Sequence, residues 1–282
     1  MTEAWRGTIE PESVEVTQLE RGRLFIDRSA VDFGAVRVVS GGCSVGYKGH
    51  SDLVAGRSVL GVIAGQRTDA RWFGERIDAG DIVQCHTSMD LSTLGPSKLY
   101  YVAVDTTKLE PNDGRRFHRS PLYAERLRRC LQTALERPNP RVEEAILSLL
   151  ALSFSEKSAF SGSRSFIRRV AAVRQCEEYM REHIVENPTL SQLSAVSGLR
   201  MRSLINAFHA VIGMSPMTYL RVQRLNEVHR ALLELDPRKT RVIDVASTWG
   251  FWHMGHFTES YRAIFGENPS ATLNRKKQLS PT

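Results

Sequence analysis

Over the first part of the chain, from Arg23 to about Asp105, short apolar runs alternate with turn signals. Runs rich in β-branched and aromatic residues come between clusters of residues that are typical of turns. No helical pattern separates these runs, so they predict a small barrel or sandwich of strands. The strand runs are Val36–Val39, Val59–Ala64, Ile82–Gln84 and Tyr100–Val104, and the turn signals are Gly41-Gly42, Gly65, Ala79-Gly80-Asp81 and Gly95-Pro96.

Two helical patterns follow the strand runs. The first has apolar residues on one face over Tyr123–Ala134 and ends before Pro138. The second has them at i, i+3 and i+4 spacing over Val142–Phe154, with little polar surface. Such a helix is predicted to be buried in its own domain or against a partner subunit. The next stretch, Ser153–Ser165, is Ser-rich and typical of a linker.

Only helical patterns follow this linker. A first helix is predicted over Phe166–Glu186, before Asn187-Pro188. Thr189 and Gln192 then have the spacing of a capping box, which begins a short helix. That helix ends at Gly198, in a turn where a Cβ would be strained. A second amphipathic helix follows, so the pattern predicts a helix-turn-helix unit. Its buried face carries Leu204, Ala207 and Phe208.

The same unit occurs a second time about 52 residues later. Gly198 is followed by Gly213-x-x-Pro216 after 15 residues, and Gly250 is followed by Gly266-x-x-Pro269 after 16. The second copy therefore carries one extra residue, which we place in its turn. Because two copies of one supersecondary unit arise by accident far less often than one, the repeat strengthens the prediction.

A long helix is predicted between the two copies. Ser215 and Pro216 form an N-cap and N1 pair at its start, and Asp236-Pro237 ends it after Leu235. A helix of this length spans about 30 Å. Successive major-groove segments on one face of B-DNA lie ~34 Å apart. The spacing therefore suits two recognition helices in adjacent grooves.

The positive charge of the chain is concentrated in this helical part. The net charge is +7; residues 166–278 carry 16 Lys and Arg against 10 Asp and Glu, while residues 1–165 carry 22 against 21. The excess lies where binding of a polyanion would need it.

Three further features of the composition indicate a cytoplasmic protein that does not cross a membrane. The longest apolar stretch is far below the roughly 18 residues of a membrane helix. Met1–Glu10 lacks the basic start and apolar run of a signal peptide. Four cysteines without a C-x-x-C pair argue against a zinc site or a disulfide framework. These are Cys43, Cys85, Cys130 and Cys176.

Residues 166–274 resemble the AraC/XylS family of bacterial regulators. Three motifs carry the resemblance: Gly213-Met214-Ser215-Pro216-x-x-Tyr219, Val245-Ala246-x-x-Trp249-Gly250-Phe251 and Phe265-Gly266-Glu267-Asn268-Pro269-Ser270. The resemblance implies that helices near Arg200–His209 and His253–Ala263 are recognition helices. It also implies RNA polymerase as a partner, and an N-terminal cupin-like barrel that senses a small molecule and is followed by dimerisation helices. In that part it rests on the strand rhythm, Asp78-Ala79-Gly80-Asp81 and the two trailing helices.

Two recognition helices define the candidate DNA contacts. On the first, Arg202 and Asn206 share the outer face, and these side chains pair bidentately with guanine and adenine. The second has no arginine before Arg262 and places Gly255 at a helical position. Either the backbone approaches DNA closely at Gly255 or this helix begins later. The candidate contacts are Arg200, Met201, Arg202, Ile205, Asn206, His209, His253, Met254, His256, Thr258 and Glu259.

The sequence gives less support to an enzymatic function than to DNA binding. Gly42-Cys43-Ser44-Val45-Gly46 matches a hydrolase nucleophile elbow, but that elbow needs a following helix. Tyr47–Asp52 has no helical pattern, so a glycine-rich β-turn is predicted. Cupin enzymes hold a metal with paired histidines. None of the histidines His50, His86 and His118 belongs to an H-x-H pair in the sequence, and no nucleotide-binding motif occurs.

The sequence as a whole predicts an α+β protein of two domains, with a cupin-like domain over residues 1–155, a linker over 156–165 and a tandem helix-turn-helix domain over 166–282. We expect a homodimeric transcription activator that is controlled by a small-molecule effector and needs no cofactor. Tyr47, Trp72 and Tyr100 are candidates for lining an effector pocket. The alternative is a DNA-binding regulator whose N-terminal domain only dimerises; a ligand-induced thermal shift separates the two.

Overall fold

The computed structural model describes residues 15–53, 56–64, 69–86, 88–108, 117–155 and 164–279. The chain divides into two compact units. The first takes in Met1–Val16 and Phe25–Gly162, and the second takes in Thr17–Leu24 and Ser163–Thr282.

Strands occupy most of the first unit and form two antiparallel sheets. In chain order the strands are β1 (Glu15–Gln18), β2 (Ile26–Asp32), β3 (Val36–Cys43), β4 (Tyr47–Asp52), β5 (Arg57–Ile63), β6 (Asp69–Trp72), β7 (Glu75–Arg76), β8 (Asp81–Cys85), β9 (Ser88–Leu94), β10 (Ser97–Asp105) and β11 (Phe117–Arg119). One sheet has the order β1-β4-β9-β6-β7, and the other has the order β11-β8-β5-β10-β3-β2. Helices α1 (Pro121–Glu136) and α2 (Val142–Ser155) follow.

Strand β10 shows how the six-stranded sheet serves two cores. Side chains alternate across a sheet, and Val102 and Val104 accordingly join the cluster that α1 and α2 cover, with Leu127 and Ile146. Leu99 and the other odd-numbered positions face the opposite way, into a cluster that draws residues from both sheets. The four apolar runs predicted as strands lie within β3, β5, β8 and β10, apart from Ala64. Strands β5 and β8 are buried along almost their whole length, so their runs are continuously apolar.

The prediction of a turn at Gly41-Gly42 is wrong, because both glycines lie inside β3 and pair with β10. A Cβ at either position would come near a neighbouring side chain. A Cβ on Gly42 would lie 2.3 Å from the Asp27 carboxylate, and one on Gly41 would lie 3.4 Å from the Tyr101 ring. The chain turns after Cys43 and enters β4, so Ser44 has a strand on both sides and not the helix that a nucleophile elbow requires.

The second unit is helical, apart from the segment Thr17–Leu24. Its helices are α3 (Arg164–Glu182), α4 (Leu190–Ser197), α5 (Met201–Val211), α6 (Pro216–Glu234), α7 (Val242–Thr248), α8 (Met254–Phe265) and α9 (Pro269–Leu279). Helix α2 extends to Ser155 and α3 begins at Arg164, so each helix includes part of the Ser-rich stretch Ser153–Ser165. Residues 156–163 lie outside the described residues. In the described ranges no helix has the length and apolar character needed to cross a membrane.

Candidate nucleic-acid interface

The first helix-turn-helix unit consists of α4 and α5. The Thr189 hydroxyl accepts the Gln192 N–H, and the Gln192 side chain accepts the Thr189 N–H, so the predicted capping box is present. Helix α4 ends at Gly198, whose φ is 64°. This left-handed conformation costs a residue with a Cβ more than it costs glycine. The predicted turn between α4 and α5 is therefore confirmed.

Helix α5 has one buried and one exposed face. Leu204, Ala207, Phe208 and Val211 are buried, which anchors the helix. The opposite face brings most of the predicted contacts together in solvent, where a groove edge can reach them. Exposed there are Arg200, Met201, Arg202, Asn206 and His209, while Ile205 is half-buried.

The second unit consists of α7 and α8. Gly250 lies in its turn with a φ of 80°. Helix α8 begins four residues after Gly250, whereas α5 begins three residues after Gly198, so the extra residue of the second copy lies in the turn as predicted. Phe257, Tyr261 and Phe265 form the buried face of α8.

The predicted contacts on α8 divide by exposure. His253, His256 and Glu259 are exposed, and His256 lies 3.8 Å from the Glu259 carboxylate. Met254 and Thr258 are half-buried, and Met254 packs against the apolar cluster of the second unit. The helix begins at Met254, one residue later than expected, so Gly255 lies in its first turn. A Cβ there would meet no atom within 4 Å, so packing within the unit does not require this glycine.

Arg224 on the linking helix α6 connects the parts of this unit, and the sequence analysis missed it. Its Nε and Nη2 donate to the Ile184 carbonyl at 2.8 and 2.6 Å, and its Nη1 donates to the Asn187 side chain at 2.8 Å. A Cβ on Gly250 would lie 3.2 Å from the same Nη1. Burial lowers the pKa of Arg224. A signal was present, because Arg224 interrupts the apolar i, i+4 series of Leu220 and Val228.

A chain of polar side chains holds α8 against α6 and α9. His229 Nδ1 lies 2.7 Å from the Tyr261 hydroxyl, which donates to Thr272 at 2.9 Å. Thr272 donates to Glu267 at 2.6 Å, and Arg275 pairs with the same carboxylate. Burial lowers the pKa of His229 to about 4, so this histidine is neutral at pH 7.

The three residues predicted to line an effector pocket lie in two different apolar clusters of the first unit. Trp72 is fully buried in the cluster between the sheets, its ring centroid 6.4 Å from that of Tyr101, and Tyr47 packs against this cluster. Tyr47 and Tyr101 share a hydrogen bond, and burial raises the pKa of both. Tyr100 lies in the other cluster, under the helices. The sheet thus separates Tyr100 from Tyr47 and Trp72, and Tyr101 is the neighbour that the sequence analysis missed.

The single histidines of the first unit have separate surroundings. His86 Nδ1 lies 2.6 Å from the Ser58 hydroxyl, and the buried His118 ring lies 4.4 Å from that of Phe154. Within the described part of the chain, no three His, Cys, Asp or Glu side chains come together as a metal site would require.

The helical unit is similar in sequence to known proteins. Residues 193–275 match the family described as a helix-turn-helix domain. The XylDLEGF operon transcriptional activator of Pseudomonas putida is 28% identical over 150 residues, which are 53% of this chain and 47% of that protein. The XylDLEGF operon transcriptional activator 2 of the same organism is 32% identical over 132 residues, 47% of this chain and 80% of that relative.

A solved structure is also similar. A probable AraC family transcriptional regulator from Rhodopseudomonas palustris is 39% identical over 37% of this chain and 96% of its own, with a TM-score of 0.35. The match to the first of the two activators spans about half of that protein's length.

The fold and its exposed helix faces define a tandem helix-turn-helix protein. Together with the two matches in sequence, they show that the chain belongs to the AraC/XylS family of helix-turn-helix transcription regulators. Members of this family are regulators and not enzymes, as the sequence predicted.

Proposed function

We propose that this protein binds specific DNA sequences and activates transcription under the control of a small-molecule effector. One observation carries the proposal: two helix-turn-helix units flank α6, and each exposes predicted contact residues on its second helix. The 19 residues of α6 span about 28 Å. This length is close to the ~34 Å between major-groove segments on one face of DNA. The names of both Pseudomonas putida relatives describe them as activators.

For the N-terminal part we propose a cupin-like domain over residues 1–155, joined by the linker 156–165 to the DNA-binding domain over 166–282. Two antiparallel sheets around a shared apolar cluster support a barrel-like arrangement. Tyr47 and Trp72 share that cluster, and Trp72 Nε1 has no hydrogen-bond partner among the described residues. These two side chains favour an effector site between the sheets over a site at Tyr100.

The partners of such a regulator follow from the same proposal. We expect double-stranded DNA, RNA polymerase and a second copy of this chain as partners, in the cytoplasm. If the N-terminal domain only dimerises, no metabolite in a broad panel raises the unfolding temperature of the protein, and effector control is excluded.

The proposed dimer is tested on helix α2. Leu150 is fully buried in its own unit, whereas Leu149 is half-buried. We expect Leu149→Glu to turn the dimer into a folded monomer, because a charge in an apolar interface is costly. Leu150→Glu should unfold the first unit instead. Sedimentation gives the mass, and circular dichroism reports folding. A wild-type protein that is monomeric at micromolar concentration contradicts the dimer.

The DNA-binding proposal is tested on both recognition helices. Arg202→Ala should relax the preference at one base pair by ~1–3 kcal/mol and leave the preference elsewhere unchanged, since a bidentate contact to guanine is lost. His256→Ala should cost less, because Glu259 next to it disfavours phosphate. Affinities for selected and scrambled duplexes at two salt concentrations measure both effects. A larger loss for His256→Ala contradicts this ranking. An even loss over all sequences for Arg202→Ala, with a salt slope shallower by ~0.9, assigns that arginine to phosphate.

A further inference from the structure

A groove of about 540 Å³ lies next to the second recognition helix, in the helical unit. The first turns of α6 form one wall, and the turn before α8 with the start of α8 forms another. The lining residues are Asn187, Met217, Leu220, Arg221, Arg224, Gly250, Phe251, Trp252, His253, His256 and Phe257. This groove extends the exposed face of α8 toward α6, and none of its residues on α6 was predicted to contact DNA.

Two of the side chains that line the groove are apolar yet exposed. Trp252 is 75% exposed and Met217 is 39% exposed. Trp252 lies in the turn that is one residue longer than the turn of the first unit, so the extra residue places an indole beside the recognition helix. An exposed tryptophan contributes little to the stability of the unit, and exposed aromatic residues are typical of binding surfaces.

The ionisable side chains that line the groove are basic, and Glu259 lies 3.8 Å from one of them, His256. The ionisable lining residues are arginine and histidine, without a carboxylate. Arg224 already donates hydrogen bonds to the Ile184 carbonyl and the Asn187 side chain. Arg221 is held in place from one side only, since its Nη2 donates to Ser260 at 2.5 Å and to the His256 carbonyl at 3.5 Å. In the described part of the chain no carboxylate forms an ion pair with Arg221, so its positive charge is available to an anion.

We propose that this groove binds the sugar–phosphate backbone of DNA, at the strand that borders the major-groove segment entered by α8. Arg221 contacts a phosphate, and Trp252 with Met217 covers the apolar face of the adjacent deoxyribose. The groove is thus a third contact surface, and it adds affinity without reading bases. The inference rests on the proposed DNA binding and specifies how the second unit achieves it with few basic residues on α8.

The test uses the full chain and two DNA duplexes, one selected by the protein and one scrambled. We expect Trp252→Ala to weaken binding to both duplexes by a similar factor of about ten, as for truncation of a tryptophan at a binding surface, without a change in salt slope. Arg221→Gln should make the slope shallower by ~0.9 for both duplexes. In Trp252→Phe, the change in tryptophan fluorescence on adding DNA should be lost while affinity is largely kept.

Two variants at the other end of α6 are matched controls. Leu235→Ala removes a side chain that is 40% exposed, and Arg238→Gln removes an exposed positive charge. Neither should change affinity or slope beyond the small effect of net charge. Thermal unfolding checks that each variant is folded, which we expect because the substituted residues are exposed.

The outcomes separate this inference from the proposed function. If the wild type binds DNA and the Trp252 and Arg221 variants match the two controls, the groove is not a DNA contact. If Trp252→Ala changes the preference at a single base pair, Trp252 reads a base and the backbone assignment is wrong. If the wild type binds no duplex at low salt, the proposed function itself fails.

Discussion

Arg224→Ala should destabilise the helical unit by about 3 kcal/mol, because it leaves buried polar groups without a partner. Arg224 is 7% exposed and makes three hydrogen bonds to Ile184 and Asn187, which lie between α3 and α4. The substitution also opens a cavity beneath Gly250. Since these contacts join the start of the first helix-turn-helix unit to α6 and to the second turn, we also expect weaker DNA binding under conditions where the variant is folded.

Arg230→Ala is the matched control for this prediction. It removes an arginine from the same helix, but one that is exposed and pairs with Glu227 within the helix. Such a pair contributes less than about 1 kcal/mol. Arg224→Lys should give an intermediate loss of stability, because an ammonium group cannot reproduce the planar arrangement of N–H donors in the guanidinium group. Urea unfolding measures all three variants. Equal midpoints for the Arg224 and Arg230 alanine variants contradict the account.

Gln18→Ala should loosen the turn between α8 and α9, although the residue is far away in sequence. The Gln18 amide donates to the Ile264 carbonyl at 2.6 Å and to the Gly22 carbonyl at 2.6 Å. Its backbone pairs in both directions with the Asn226 side chain. The variant keeps these backbone bonds and loses those of the side-chain amide, and because Gln18 is 5% exposed this loss should cost about 2 kcal/mol. Amide exchange near the turn should then accelerate by roughly thirtyfold if it proceeds by opening of this region.

Arg21→Ala is the control, since Arg21 is exposed on the same segment. A fragment that begins at Ser163 lacks the whole segment Thr17–Leu24. We therefore expect that fragment to bind DNA but to unfold at a lower temperature than one that retains the segment through a short tether. Equal exchange rates in the Gln18 and Arg21 variants show that the segment does not stabilise the turn.

The helical unit could be predicted from the sequence because its local signals agree with its packing. The capping box at Thr189, the glycine at 198 and the Ser215-Pro216 start of α6 act within a few residues of where they occur. Apolar periodicity then gives the buried faces. The exposed face of α5 followed by elimination, since the residues that do not face the core face solvent.

What the sequence analysis missed depends on contacts between distant residues. Strand β2 is mostly exposed and lacks apolar alternation, so it has no signature. The glycines at 41 and 42 pair with residues of β10 more than 50 positions away, so their place inside a strand has no local signal. The placement of Gln18 against Asn226 joins residues 208 positions apart, for which one sequence offers no periodic signal.

Both helix-turn-helix units should occupy DNA at the same time, and a hydroxyl-radical footprint of the full chain on its selected duplex measures this. We expect two protected tracts on one face of the duplex, with centres about 10 base pairs apart. In Arg202→Ala, protection of the tract assigned to α5 should weaken more than protection of the other. A single protected tract, or equal protection of the scrambled duplex, would contradict this simultaneous occupancy.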